Sequence, residues 1–472
     1  MADFTIVVKE DCATCQLVTP VIEHLAKTHN LKIFSQDNPA FPAGFKVADD
    51  AELEVSWKLG IETVPTLIRF DGDNETGRVF GWVREEWESL TGEVLAPELP
   101  AFRPGCGSRT MDPGMPEKLS LKFNKGQMSS RQLKISDEED TLEACYDRGW
   151  TDGLPVIPPT ELRVIRMLTG TRRDPSEVVG KVPPDYGECT IEKIAINAVL
   201  AGCKPEYLPV VIAAVEAALQ DEFCMHGLLA TTYFSGPMIL VNGPISRSIG
   251  MNAKGNALGQ GNRANATIGR ALQLIIRNIG GGRPGGVDRS VFGNPGKYTY
   301  CFAEDEKNSC WESLAVEKGY SEHQSTVTLF AADGMQGIVD QKSREPESLA
   351  RSFAAGLRVV SHPKMVMAAD AFLVVSPEHE RVFKNANWSK QRLKERLGEL
   401  LMIPGEELIA GAGGIAEGIP EKFKEATLPK FRDGGLNIVR AGGSAGLFSA
   451  IIAGWGASGD MGSIPVTREI KN

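Results

Sequence analysis

The chain has 472 residues, 42% of them hydrophobic and 24% charged, which is too long for one core and ordinary for a soluble globular protein of two or three domains. Its net charge of −10 falls wholly on the first hundred residues, which hold 8 Lys+Arg against 18 Asp+Glu, while the remainder is balanced. An acidic module on a neutral body argues against a nucleic-acid partner, and no apolar run reaches the ~18–20 residues of a membrane span, so neither a nucleic acid nor a membrane is expected as a partner.

In chain order, the pattern predicts a short buried strand over 4–8. The run Lys9-Glu10-Asp11-Cys12-Ala13-Thr14-Cys15 follows, then an amphipathic helix with Val18, Val21, Ile22 and Leu25 on its apolar face. A second strand is expected over 31–34, a second helix over 51–59, and a turn, a proline and a third strand over 61–70. Residues 79–82 come next, and a helix over 84–90 closes the module. Strands alternating with helices imply an α/β fold class, and residues 1–95 are taken as the first domain. Residues 96–134 include Pro97, Pro100, Pro104, Pro113 and Pro116 with several glycines, and read as a linker, stiff in places. A larger α/β domain, with α+β as the alternative, is expected over 135–472, and a division into two subdomains near 340–370 is left open. Within it Thr190 should cap a helix to 201, Pro205 should open another to 219, and 238–241 and 373–375 read as fully buried strands.

A Cys-x-x-Cys at the start of a helix, directly after a strand, has a mechanical meaning. The helix N-terminus carries partial positive charge and free N–H groups, which stabilise a thiolate, and the thiolate is the nucleophile of disulfide exchange. Cys12 is therefore the expected attacker and Cys15 the resolving thiol. A zinc site would need a second ligand pair, and His24 and His29 fall at the wrong end of the helix, so no metal and no cofactor beyond the redox thiols is expected. Nine cysteines, an odd number with no secretory signal visible at Met1-Ala2-Asp3-Phe4, suit a reducing cytoplasm. Over residues 3–95 the chain resembles the thioredoxin fold family, on Asp11-Cys12-Ala13-Thr14-Cys15 after the first strand and Val64-Pro65-Thr66 before the third. That resemblance implies a cis proline at Pro65 facing the dithiol, and Pro65 is counted with the substrate-binding residues. Ala-Thr stands between the cysteines where typical thioredoxins have Gly-Pro, which points away from general disulfide reduction and toward an internal or dedicated relay.

The larger domain carries several glycine-rich polar runs. Asp152 is the only acid of the rigid loop 149–160, and a turn-forming role weighs evenly there against a substrate-binding one. The run Gly255-Asn256-Ala257-Leu258-Gly259-Gln260-Gly261-Asn262-Arg263-Ala264-Asn265 leads into a helix to about 279. Such a loop can hold a carboxylate or phosphate, with Arg263 and Arg270 as pairing cations; the bland reading is a tight turn. A similar run, Gly442-Gly443-Ser444-Ala445-Gly446, follows a strand over 437–440 and is expected to open a helix through 452. Its Gly-x-Ser-x-Gly spacing matches a nucleophile elbow. No histidine follows Ser444, however, because His379 is the last in the chain, so a hydrolase triad is rejected and Gly443 and Ser444 are kept as anion binders. Cys301, among aromatics with acids just after it, and Cys203, at a helix end, are each either packing residues or a second redox thiol, with Cys301 ranked first. His379, beside two acids after a buried strand, is the preferred general acid or base, against a surface histidine at a helix start.

Residues 149–455 resemble an uncharacterised bacterial family that is fused to thioredoxin-like modules or associated with small selenoproteins bearing a Sec-Gly-Ser-Cys motif. The resemblance rests on residues 149–160, 263–270 and 442–455 and on Gly296-Lys297-Tyr298-Thr299-Tyr300-Cys301-Phe302-Ala303-Glu304. It implies reductive, thiol-driven chemistry. Cys106-Gly107-Ser108-Arg109 echoes the selenoprotein motif without its final cysteine, which makes Cys106 a further candidate thiol. The leading expectation is a thioredoxin-coupled reductase. A small, anionic electrophile would bind in the second domain and be reduced or reductively cleaved by a thiol, which Cys12 and Cys15 regenerate using an external thiol reductant or a thioredoxin reductase-like donor. The alternatives are an electron relay acting on a partner protein, such as a small selenoprotein or cysteine protein, and a non-redox lyase or hydrolase that uses the thioredoxin module only for docking. A homo-oligomer is left open.

Overall fold

The computed structural model describes residues 2–123, 128–136, 138–456 and 462–471. The chain folds into two compact units, Met1–Gln127 and Met128–Asn472, and both are α/β. The first comprises β1 (Asp3–Val8), α1 (Ala13–Leu17), α2 (Thr19–Thr28), β2 (Asn30–Ser35), β3 (Val47–Asp49), α3 (Glu54–Lys58), β4 (Thr63–Val64), β5 (Thr66–Asp71), β6 (Asn74–Phe80), β7 (Trp82–Val83), α4 (Arg84–Thr91), β8 (Phe102–Arg103), β9 (Cys106–Gly107) and α5 (Met115–Phe123).

Its five-stranded sheet has the order β3-β2-β1-β5-β6. β1 runs parallel to β2 and antiparallel to β5, and its run Phe4, Ile6, Val7, Val8 is buried throughout, as a central strand covered on both faces requires. The single helix expected after the cysteines is broken at Val18, which has φ −85° and ψ 4°. The cause is Pro20, which has no N–H to give the carbonyl of Gln16 and so interrupts the helical ladder. β3 and β6 were not expected. β6, Asn-Glu-Thr-Gly-Arg-Val-Phe, is an edge strand whose polar residues face water.

The linker expected over 96–134 is corrected. β8 pairs antiparallel with β7, β9 pairs antiparallel with β4, and a 3₁₀ turn (Arg109–Met111) and α5 follow within the same unit. Trp82 Nε1 donates to the Pro100 carbonyl at 2.6 Å. The prolines stiffen a strap laid along the first unit.

The main elements of the second unit are α6 (Ile191–Ala201), α7 (Leu208–Ala218), β10 (Gly236–Asn242), α8 (Arg263–Asn278), β11 (Cys301–Ala303), β12 (Thr326–Val339), α9 (Pro346–Arg358), β13 (Ala371–Val375), α10 (Pro377–Asn385), α11 (Lys390–Leu400), β14 (Leu436–Arg440), β15 (Phe448–Gly454) and β16 (Val466–Glu469). They build a mixed sheet of order β11-β10-β12-β15-β13-β14, with β16 on β12 beside β15. The end pairs, β10/β11 and β13/β14, are parallel and the rest antiparallel. Alternation along β10 sends Ile239 and Val241 into a core shared with α6, α7 and α8, and Met238 and Leu240 into one shared with Phe302, Phe330 and Phe372. α9, α10 and α11 form a third core against Leu373, Ile438 and Ile451.

Two further expectations are corrected here. β12 and β13, on either side of 340–370, both pair with β15, so one sheet runs through the place where two subdomains were considered. The Gly442–Gly446 loop, residues 442–446, leads into strand β15 rather than a helix. Its Ile451 and Ile452 are buried, facing the two different cores, which is strand alternation and favours β-branched side chains.

Candidate active site

Cys12 is the N-cap of α1. Its backbone is extended (φ −144°, ψ 110°), and its sulfur accepts a hydrogen bond from the Cys15 N–H at 3.3 Å. The turn before it is pinned by Asp37, whose carboxylate accepts from the N–H groups of Glu10 at 2.8 Å and Asp11 at 3.0 Å. Cys12 Sγ lies 3.6 Å from the carbonyl oxygen of Val64, and the Val64–Pro65 bond is cis. Cys12 is 2% exposed and Cys15 fully buried.

The third sulfur of this site belongs to Cys106. In the β4/β9 pair, Val64 stands opposite Cys106 and Thr63 opposite Gly107. Thr14 Oγ1 donates to the Pro104 carbonyl at 2.6 Å. Gly105 permits this approach, since a Cβ there would lie 2.4 Å from Thr63 Cγ2 and 2.9 Å from the Val64 oxygen. Beyond Cys106, the buried Gln36 amide donates to Ser108 Oγ at 2.7 Å and to Ser56 Oγ at 2.8 Å. Arg109 donates to the Gln36 backbone carbonyl at 2.5 Å, which anchors the strap.

Electrostatics set the three thiols apart. The hydrogen bond from the Cys15 side chain outweighs burial and, with bonds from the Cys106 side chain and the N–H groups of Cys15 and Thr14, brings the Cys12 thiol down to about 5. Burial pushes Cys15 far up, as does its bond to the Cys12 sulfur. Burial also raises Cys106, and the negative Cys12 sulfur beside it adds to the effect. The reduced site therefore holds one thiolate with two thiols donating to it. All nine cysteines are unbonded.

The second unit corrects several expectations. Cys203 and Cys301 are buried in the core on which α8 packs; desolvation pushes Cys203 up to about 12 and Cys301 higher still. Both are packing residues, because a nucleophile needs the thiolate that burial suppresses. Cys310, which sequence reasoning did not single out, is exposed, but burial of its sulfur and the neighbouring Glu380 carboxylate raise it as well. His379 is fully buried. Its Nε2 lies 3.0 Å from the Asp340 carbonyl and its Nδ1 2.7 Å from Ser449 Oγ. A carbonyl only accepts, so Nε2 carries the proton and Nδ1 accepts from Ser449. With both nitrogens committed and Phe353 edge-on at 5.5 Å, this is a core histidine and no acid or base for a substrate.

Arg270 is likewise committed. Its guanidinium forks onto Asp152 at 2.8 and 2.9 Å and donates to the carbonyls of Leu154 and Pro155. Burial works against ionisation of Asp152, yet the Arg270 fork holds its carboxyl below the usual value. Arg263 is exposed and gives its Nε proton to the Gly202 carbonyl at 3.0 Å. Asn262 caps α8, and the buried Asn265 side chain fastens the glycine-rich loop through Asn252 and Ala257. Gly443 lines a cavity of about 490 Å³ with Gly442, Ser376 and Phe448, while Ser444 is exposed.

The cation that sequence reasoning missed is Arg277, seven residues after Arg270 on the same face of α8. It lines a separate cavity of about 490 Å³ with Asp152, Gln273, Asp288, Lys297 and Tyr298. Lys297 is paired with Asp288 at 2.7 Å, whereas Arg277 Nε is buried without a hydrogen-bond partner among the described residues. The two-turn spacing from Arg270 was the available signal. Among the described residues, no group of three or more His, Cys, Asp or Glu is placed to hold a metal ion, and no helix is long and apolar enough to cross a membrane.

No protein-family model matches this sequence, and no curated protein matches it. Among solved structures, the chain is similar to thioredoxin O1 from Arabidopsis thaliana in its oxidized state, at 22% identity over 20% of this chain and 79% of that one, with a TM-score of 0.16.

Proposed function

We propose that this chain is a thiol-dependent oxidoreductase in which Cys12 attacks electrophilic sulfur, Cys15 resolves the mixed disulfide, and an external thiol reductant resets the pair. The observation that carries this reading is the division of labour between the two sulfurs. Cys12 is capped, hydrogen-bonded and held down to about 5, as an attacking thiolate requires, while Cys15 stays protonated until Cys12 needs a second thiol.

A small anionic substrate is assigned to the Arg277 cavity of the second unit, since Arg263 and Arg270 are spent on the fold. Burial of Cys203 and Cys301 favours a second reading, in which the dithiol acts on a partner protein. Turnover of glutathione disulfide and of insulin by the full chain, with dithiothreitol as reductant, separates the two. Faster reduction of the small anionic disulfide is expected, and loss of activity with both probes in Cys12→Ser. Full activity in Cys12→Ser would overturn the assignment of Cys12 as the attacking thiol.

A further inference from the structure

We infer that Cys106 is a third redox thiol, and that electrons pass from the Cys12–Cys15 pair to electrophilic sulfur through a Cys12–Cys106 disulfide; this rests on the thiol-oxidoreductase reading above. The first support is placement. The strap is paired in register with the strand that carries Val64, and that register sets Cys106 opposite the residue whose carbonyl contacts the Cys12 sulfur. The side chains of Cys12 and Cys106 are within hydrogen-bonding reach of each other.

The second support is anchorage. Thr14 holds Pro104, Gly105 packs against Thr63, Gly81 packs against Gly105, and Ser108 and Arg109 are tied to Gln36. Thr110 Oγ1 also donates to the Ile61 carbonyl. These contacts bracket Cys106 on both sides, so its sulfur is positioned rather than merely nearby. The third support is access. Cys12 and Cys15 are 2% and 0% exposed, whereas Cys106 is only half-buried. Of the three sulfur-bearing residues, Cys106 is the one most open to solvent.

The exchange balances as follows. The Cys12 thiolate attacks a disulfide RSSR. A bond from Cys12 to sulfur forms, the S–S bond breaks, and RS⁻ leaves with the proton from Cys106. The Cys106 thiolate then attacks the Cys12 sulfur, which forms Cys12–Cys106 and expels a second RS⁻ that solvent protonates. Cys15 attacks Cys12 and passes its proton to the departing Cys106, so Cys12–Cys15 forms and the Cys106 thiol returns. One disulfide is reduced by two electrons to two thiols, the Cys12–Cys15 pair is oxidised by two, and the external dithiol restores it.

The test is to treat reduced Cys15→Ser full-length protein with one equivalent of glutathione disulfide and map its peptides by mass. The expected product carries no glutathione, weighs two hydrogens less, and joins the Cys12 and Cys106 peptides. A glutathione adduct on Cys12 with Cys106 still open to alkylation, or no reaction at Cys106, overturns the inference. A second measurement separates the two levels. Cys106→Ser and Cys106→Ala, matched to wild type in thermal melting, should lose about tenfold or more in glutathione disulfide turnover. Wild-type turnover in both, with Cys12→Ser inactive, rejects the third thiol and keeps the oxidoreductase. Wild-type turnover in Cys12→Ser rejects both.

Discussion

The rate of Cys12 alkylation as a function of pH gives the most searching test of the site, because two opposing effects can be put into numbers. An unperturbed thiol titrates at 9.0 and Cys12 at about 5. At about pH 7 the ordinary thiol is ~1% ionised and Cys12 ~99%, a gain of roughly 100-fold. Nucleophilicity falls with pKa at a Brønsted slope of about 0.4–0.5, which over about four pH units costs roughly 40–100-fold. The two nearly cancel at neutrality, so a single rate at about pH 7 is uninformative. At about pH 5.5 the ordinary thiol is only ~0.03% ionised and Cys12 still ~75%, which leaves Cys12 ahead by roughly 20–60-fold. Iodoacetamide labelling of the reduced chain, quenched at intervals and read by peptide mass, should show Cys12 labelling with a midpoint near 5 and a plateau above it, while Cys15 stays silent. A profile for Cys12 that climbs through about pH 8–9, as for a free thiol, or equal rates for Cys12 and Cys15, would refute the assignment of roles. The same shift bears on stability. The folded value lies below the unfolded one, so ionised Cys12 stabilises the reduced fold above the unfolded value, and that contribution is lost as the pH falls through about 5.

Gly105→Ala should displace the strap, since the new Cβ meets Thr63 and the Val64 carbonyl; the expected readout is an upward shift of the Cys12 alkylation midpoint, with about 1–3 kcal/mol lost in urea unfolding. Arg270→Ala strands the Asp152 carboxylate and two loop carbonyls, with an expected loss of about 2–4 kcal/mol in the unfolding of the second unit. Arg270→Lys should recover little of it, because an ammonium cannot fork onto a carboxylate. Asp152 has its folded value below its unfolded one, so its pairing contributes above the usual 3.8 and is lost as the pH falls through the folded value. The stability gap between wild type and Asp152→Asn should therefore close only in that acid range. His379→Leu leaves the Asp340 carbonyl and Ser449 without their partner and should cost about 2–4 kcal/mol in urea unfolding, with the Cys12 alkylation profile unchanged.

The first unit was the more legible half, and the reason is local. Strand, Cys-x-x-Cys, helix and Val64-Pro65-Thr66 are each readable within a few residues, and the α/β class follows from their alternation. What was hidden in that unit was the strap, because five prolines signal stiffness but give no sign of what an extended segment lies on. Cys106 drew attention only through a three-residue echo; its register opposite Val64 is set by Gly105 and Gln36, one a matter of clearance and the other of a buried amide some seventy residues away. In the second unit the buried runs of β10 and β13 and the cap at Thr190 were visible in outline or fully, but the candidate site residues were misjudged. Cys301, Cys203 and His379 have reactive side chains, and whether such groups react is decided by burial and by committed hydrogen bonds. Those depend on which strands become neighbours. The mistaken helix at 442–452 has the same origin: Phe448-Ser449-Ala450-Ile451-Ile452 suits either period until β12 and β13 close on both sides of it.

Three thiols crowded into one site share a constraint that separated thiols do not. Only one can carry negative charge at a time at modest cost, because each neighbour that ionised would repel the first across a few ångströms of poorly solvated space. The charge sits on Cys12, where the Cys15 N–H and both other thiols donate to it, and the same thiolate raises Cys15 and Cys106. Oxidation of a pair that includes Cys12 removes that charge. Once Cys12 is in a disulfide, the sulfur left over keeps the rise due to burial but loses the part due to its negative neighbour, which eases its ionisation. Under the proposed relay, a Cys12–Cys106 pair would ease ionisation of Cys15 and a Cys12–Cys15 pair that of Cys106, so the direction of flow would be set by which end meets an oxidant and which a reductant.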